Sequence, residues 1–535
     1  MPNDVWRDCG YPLRLAPIKR MFRTLRNLYN VAGIVRTMGK YDSLFLLQIK
    51  GVPFYIKFCC FFINLGVQPN PDLADMRKGE KLALALQNLG PGFIKLGQAL
   101  SVRADLVGKE IAHDLTTLQD NLPPFEIDKA RQSIEDELGK PLSEIFNSFD
   151  DEPIAAASIA QVHYATTAED LPVAVKILRP GIESAFAREL DLLHWLAEIV
   201  ENLIPKARRL RPTGVIDTLS EVVAMELDLR LEAAAGDELQ ANFKGDPRFK
   251  VPAMDWTRTG KRVLTSERVS GVPVDEISTL ETVDYDTEEI VANMARVFFL
   301  QVFRDGFFHA DLHPGNLLVN RDGVIQAVDF GIMGRLDKKT RYYLAEMMIG
   351  FLTADYAKVA EIHFQAGYIP RSQSKKAFAQ AARAIAEPIL GLPLKDISLA
   401  RLLAQLFQVT QRFEMETQPQ LLLLQKTMLV AEGVGRQLHP DTNMWELARP
   451  LIEDWMEDAL SPEAKTAEAI REASKLIEQL PMLINDMGES ITTLTDEGLK
   501  LHPDTLSAMS KSKKSAAWPW WAGAFIALGL IFSAI

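Results

Sequence analysis

The stretch HADLHPGNLLVNRDGVIQAVDFGI, residues 309–332, constrains the fold more than any other part of the chain. Two apolar runs, NLLV and VIQAVDF, flank NRDG, whose Asp-Gly pair tolerates the backbone angles of a tight hairpin turn. Asp311 and Asn316 stand five residues apart just before the first strand, and Asp329 closes the second. Any fold that accommodates this segment brings three oxygen-bearing side chains to the ends of paired strands.

A second strand pair is written upstream. AQVHYAT and VAVKIL alternate with period two around the turn TAEDLP, so Val173, Val175 and Ile177 share one face and Lys176 points to the other, towards a cleft. Ahead of it lies AAASIAQVH, residues 155–163, where a phosphate-covering loop would ordinarily be rich in glycine. Phosphoryl-transfer sites use an Asp to orient the acceptor, an Asn five residues later for metal, a second Asp for metal and a strand Lys on phosphate. The triphosphate's charge requires such a set, because Mg²⁺ held by Asn and Asp oxygens neutralises what builds up during transfer. Each match alone is weak, and a strand lysine usually reaches solvent; in this order they are jointly specific. A competing reading takes His309, Asp311 and His313 as ligands of zinc or iron, without a second histidine cluster among the eight histidines to complete it. Spacing alone suggests Glu189, on the helix after VAVKIL, as the partner of Lys176.

The 535 residues suffice for two or more domains. Net charge is -12, yet Met1 to Asn70 carries ten Lys and Arg against three acids, which suits an acidic partner; without a nucleic-acid module, anionic lipid fits better than nucleic acid. Three cysteines, Cys9 and the adjacent Cys59 and Cys60, form no metal spacing and suit a reducing compartment. The chain closes on WPWWAGAFIALGLIFSAI, uncharged from Trp518 onward and preceded by the basic KSKK, the pattern of a single membrane span with its lysines on the cytoplasmic side. The expected organisation is a basic helical region (1–70), a helical extension (71–150), a small strand-containing lobe (151–272), a larger helical lobe (273–460), a helical stalk (461–514) and a transmembrane anchor (515–535).

With KLGQ (95–98), AAASIAQVH, VAVK, ELDLRLEAA, HADLHPGN, DFG and LLLLQKTMLVAEGVGRQLHP, the chain resembles the UbiB/ADCK atypical kinase-like proteins, the bacterial branch of ubiquinone biosynthesis in particular, from about Pro71 to Asp458. The resemblance implies an α+β, bilobal protein-kinase-like fold with the helical extension packed over the cleft. It also implies that Ile154, Ala155, Ala156, Ala157, Ser158, Ile159, Ala160, Gln161 and Val162 contact ATP or ADP, and that Lys176 holds phosphate. Asn316 and Asp329 hold Mg²⁺, and Asp311 takes the catalytic-base position. Glu232, rather than Glu189, pairs with Lys176; Lys95 and Gln98 belong to a gating helix, with Glu226 and Asp228 as an E-x-D pair. The implied activity is that of a membrane-anchored ATPase or small-molecule kinase at the bacterial inner membrane. Its partners would be membrane lipid, polyprenyl-phenol precursors, other ubiquinone-biosynthesis proteins and a second copy of the chain. The alternatives are a nucleotide-binding scaffold without turnover and a metal-dependent hydroxylase. The family often ends in two spans, where this chain offers one.

Overall fold

The structure, a computed structural model, describes residues 16–45, 54–101, 107–115, 123–203, 212–274, 285–388, 419–439 and 444–460, with residues 118, 276, 405, 408–410, 412–415 and 418. The expected stalk at 461–514 and terminal span at 515–535 lie outside the described residues. Among those described, no helix is long and apolar enough to cross a membrane. The chain divides into two units, Met1–Trp455 and Met456–Ile535, and both lobes with the candidate site belong to the first.

The small lobe is a five-stranded sheet. Strands β1 (Phe146–Phe149), β3 (Ala160–Thr167), β4 (Pro172–Leu178) and β6 (Val263–Glu267) are neighbours in that order, and β2 (Ala155–Ala156) pairs with β3. β1 falls inside the stretch expected to be all extension, because FNSF pairs antiparallel with the end of β3. The period-two pattern of β4 separates two cores. Val173, Val175 and Ile177 face helix α6 (Ile127–Leu138), packing on Ala130 and Ile134. Truncating the fully buried Ile177 to alanine would cost about 2–5 kcal/mol. On the other face, Ala160, Leu178 and Leu264 share a core with the extension helices α3 (Lys78–Leu89), α4 (Pro91–Ser101) and α5 (Lys109–Leu115). The same core takes in α7 (Ile182–Leu203), α8 (Pro212–Glu226) and α9 (Leu229–Asn242). The extension therefore packs on the face that carries Lys176.

Preceding these, α1 (Ala16–Lys40) and α2 (Phe54–Ile63) pack on each other, and α1 also reaches α3 and α7.

In the larger lobe, α10 (Thr287–Phe299) runs into a π-helical turn at Leu300–Asp305, followed by β8 (Phe307–His309). The hairpin pairs β9 (Leu317–Val319) with β10 (Ile325–Ala327), Val319 opposite Ile325. Asn320 Oδ1 accepts the Asp322 and Val324 N–H groups, and Gly323 takes φ +76, which an L side chain would resist. β5 (Phe249–Lys250) and β7 (Val272–Pro273) flank the hairpin, while β11 (Met333–Arg335) pairs with β8. Helices α11 (Lys338–Leu352), α12 (Tyr356–Gln365), α13 (Lys375–Ala386) and α14 (Pro419–Leu438) complete the lobe, with α14 packed on α10 and β11, and a last helix, α15 (Met444–Leu460), runs across the boundary between the two units.

Candidate nucleotide and phosphoryl-transfer site

Three distant segments meet at Lys176. Its Nζ lies 2.8 and 2.9 Å from the two Glu232 carboxylate oxygens and 2.7 Å from Asp329 Oδ1. Glu232 occupies the first turn of α9, whose N-cap is Asp228, accepting the Arg230 N–H. Burial opposes the Lys176 charge, but the Asp329 and Glu232 carboxylates outweigh it and hold the amine well above its ordinary range. The Lys176 ammonium in turn keeps Asp329 well below the usual carboxylate range. Burial pushes Glu232 up to about 7, with Lys176 pulling down and the neighbouring Asp329 anion pushing up. One buried cation shared by two carboxylates leaves a surplus negative charge, and Glu232 is where a proton relieves it. Glu189, the partner that spacing suggests, is elsewhere: its Oε2 accepts the Gly92 N–H of α4 at 2.6 Å.

Asp329 adopts φ +63, a left-handed conformation that Asp tolerates better than most side chains. The next residue, Phe330, packs under α9 beside Gly236, one turn past Glu232. A Cβ on Gly236 would meet Met254 and, at 2.9 Å, Phe330 Cδ2. The absent side chain thus permits the close approach that seats Phe330 below the Glu232 helix.

The loop from 310 to 316 is tied to its surroundings through backbone. The Asn316 amide nitrogen donates to the Asp311 carbonyl at 3.0 Å, and the Val328 N–H donates to the Asn316 carbonyl. Asn316 is thereby left with its amide oxygen for a metal, and Asp329 with its second carboxylate oxygen; two hard oxygen donors, with water and phosphate oxygens making up the rest, fit Mg²⁺. His309 is fully buried, its Nε2 3.1 Å from the Val328 carbonyl and its Nδ1 accepting the Asp311 N–H at 3.2 Å. Burial lowers its affinity for a proton, and the neutral ring has both nitrogens committed to backbone. The zinc or iron reading loses His309 for that reason, and among the described residues no three His, Cys, Asp or Glu side chains are grouped to hold a metal. Asp311 Oδ1 faces Lys426 Nζ of α14 at 2.7 Å.

The alanine loop folds back on β3. Ala155 pairs with Val162 and Ala156 with Gln161, and the Ala157 N–H donates to the Ala160 carbonyl. Facing residues across antiparallel strands share a sheet face. Val162 stands opposite Lys176, so Ala155, Val162 and Lys176 share one face; Ala156 and Gln161, opposite Ile177, share the other. Gln161 is fully buried there, taking the Phe125 N–H at 2.9 Å and bonding His163, so its side chain braces the sheet away from the cleft. Ser158 is buried at the turn, Ile159 and Ala160 lead into β3, and Ile154 is half exposed. Arg179 clamps the turn, its Nε donating to the Ala157 carbonyl and its backbone N–H to that of Ile159.

On α4 the buried Lys95 ion-pairs with Glu226 at 2.8 Å, the last residue of α8. Gln98 follows three residues along α4, and Asp228 is two residues beyond Glu226, engaged with Arg230. The E-x-D pair therefore divides its work, one carboxylate on the extension and one capping the Glu232 helix.

Residues 117–363 match the ABC1 atypical kinase-like domain, and residues 382–443 match the UbiB helical domain. Over 96% of its length the chain is 37% identical to a protein of Marinobacter nauticus named "Probable protein kinase UbiB", 93% of which is covered. The chain belongs to the UbiB family of atypical kinase-like proteins. A protein of the same name from Pseudomonas fluorescens strain Pf-5 is 41% identical, with 86% of each chain covered. The solved structure of Rv3197 with erythromycin from Mycobacterium tuberculosis is similar at TM-score 0.51 and 28% identity, over 69% of this chain and 93% of that one. The protein-kinase-like fold follows from this family membership and that likeness, and membership in the UbiB family implies a part in ubiquinone biosynthesis.

Three positions of this UbiB-family site have roles that the sequence does not signal. Lys426 lies inside the LLLLQKTMLVAEGVGRQLHP motif, yet nothing in that motif points to Asp311, 115 residues away. Arg179 ends the VAVKILR run without any mark of its reach back to the loop. Gly236 acquires meaning only once Phe330 lies against it. Glu189, by contrast, has the spacing of a lysine partner and a different role.

Proposed function

We propose that this UbiB-family protein binds Mg-ATP and Mg-ADP in the cleft between Lys176 and the 310–316 loop and acts as an ATPase or small-molecule kinase supporting ubiquinone biosynthesis. The observation that carries the reading is the convergence of Lys176, Glu232 and Asp329 within hydrogen-bond distance, although they come from strand, helix and hairpin. Lys176 would trade one carboxylate contact for phosphate oxygens. The carboxylate of Asp311 accepts the proton of the attacking water or hydroxyl as that oxygen bonds to the γ-phosphorus and the β–γ bridging bond breaks, its electron pair leaving on ADP. Mg²⁺ on Asn316 and Asp329 would supply neutralisation of the phosphate charge. The extension packed on the Lys176 face leaves little access for a polypeptide, which favours a small acceptor or water. The uncharged segment from Trp518, with the basic residues before Asn70, supports a protein held at an anionic membrane surface.

Thermal unfolding with Mg-ADP, Mg-ATP and Mg²⁺ alone, on wild type and Asp329→Asn, tests the reading. Nucleotide should raise the wild-type midpoint and leave the variant nearly unmoved; equal shifts in both would refute the site. Nucleotide binding without Asp311-dependent phosphate release would instead favour a scaffold.

A further inference from the structure

We propose that Lys426 is a positioning residue for Asp311, so that helix α14 completes the phosphoryl-transfer site. This rests on the proposed nucleotide site and extends it to a residue outside the kinase-like segment: Asp311 lies in the 117–363 match and Lys426 in the 382–443 match. The Asp311 backbone is held at both ends, its N–H by His309 Nδ1 and its carbonyl by the Asn316 amide. Those bonds fix where the side chain starts, not how its carboxylate is turned. The Lys426 ammonium, 2.7 Å from Oδ1, supplies that second constraint and leaves Oδ2 to meet the acceptor's proton. A general base acts within about 3 Å of the proton it takes, so a carboxylate free to rotate would spend much of its time misaligned.

Burial argues for function over fold. The side chains are 39% and 30% exposed, and an ion pair that open adds little to stability. Helix α14 is itself well seated, packed on β11 and α10 with Thr427 buried beside Lys426. The lysine therefore projects from a fixed support. Its positive charge also offsets the repulsion a bare carboxylate would feel from a nearby triphosphate.

The test compares full-length wild type, Lys426→Met, Lys426→Arg, Asp311→Asn and the double variant Asp311→Asn/Lys426→Met. Three quantities are read: phosphate release from Mg-ATP, Kd for Mg-ADP and the melting midpoint. Lys426→Met should lower kcat about 10-fold or more, with Kd for Mg-ADP and the midpoint close to wild type, and Lys426→Arg should recover most of the rate. The double variant should be no slower than Asp311→Asn, because Lys426 acts through that carboxylate. An unchanged or raised rate in Lys426→Met, a loss shared equally by Mg-ADP binding, or losses that multiply in the double variant would each overturn the proposal while leaving the nucleotide site intact. Wild type that neither binds Mg-ADP nor releases phosphate would overturn both.

Discussion

Glu189 Oε2 accepts the Gly92 N–H at 2.6 Å, joining α7 to the first turn of the helix that carries Lys95 and Gln98. Burial pushes this carboxyl up from 4.5 to about 7, against the pull of the Gly92 bond and Arg188. Because the folded value is the higher one, its stabilising contribution is complete below 4.5 and lost as pH rises through about 7. Glu189→Gln keeps an acceptor for Gly92 and removes the titration. Between about pH 5 and pH 8 the wild-type melting midpoint should therefore fall further than that of the variant. Parallel pH profiles would show that this carboxyl is not raised.

Gly236→Ala should be harmful although alanine is the better helix former. The added methyl would collide with Met254 and Phe330, forcing either the ring or α9 to move. A net loss of about 1–3 kcal/mol is expected, with weakened nucleotide binding because Glu232 rides on the same helix. A variant more stable than wild type, by chemical denaturation, would mean that Phe330 yields without cost.

Lys176→Met leaves Glu232 and Asp329 facing each other without their cation. The expected penalty is about 3 kcal/mol near pH 8, smaller in acid as Glu232 takes up a proton. Adding Glu232→Gln should recover part of it. Urea midpoints for the two variants at two pH values measure this, and a double variant less stable than Lys176→Met would contradict the shared-cation picture.

Ala157→Gly keeps both backbone bonds of the loop, the N–H to Ala160 and the carbonyl to Arg179, and removes only the Cβ. A looser turn can close nearer to the γ-phosphate, at about 0.5–1 kcal/mol of chain entropy. The ratio of ATP to ADP affinity should rise severalfold, as read by direct titration of each nucleotide. An unchanged ratio would place the control of nucleotide choice elsewhere.

Much of the site was legible because it is local. The hairpin from Leu317 to Ala327, the turn at Asn320 and the alternation that turns Lys176 away from Val175 and Ile177 all depend on residues a few positions apart. Gln161 shows where motif reading ends: it sits in the loop motif, yet the register of β2 and β3 points it to the far face, against Phe125 and His163. Membership of a motif says nothing about which side of a sheet a side chain takes, whereas pairing register does.

Periodicity, turn residues and the order of short motifs are properties of neighbours along the chain, and they determined the two hairpins, the acid–amide–acid set and the kinase-like character. Spacing points Lys176 to Glu189, and only the ELDLRLEAA resemblance points it to Glu232, the partner the structure shows. Which lysine meets Asp311 and which glycine admits Phe330 were decided only when α9, α14 and the hairpin packed together. The physical reason is range. Hydrogen bonds and ion pairs act over about 3 Å in space and are indifferent to the 56, 115 or 153 residues that separate the partners along the chain.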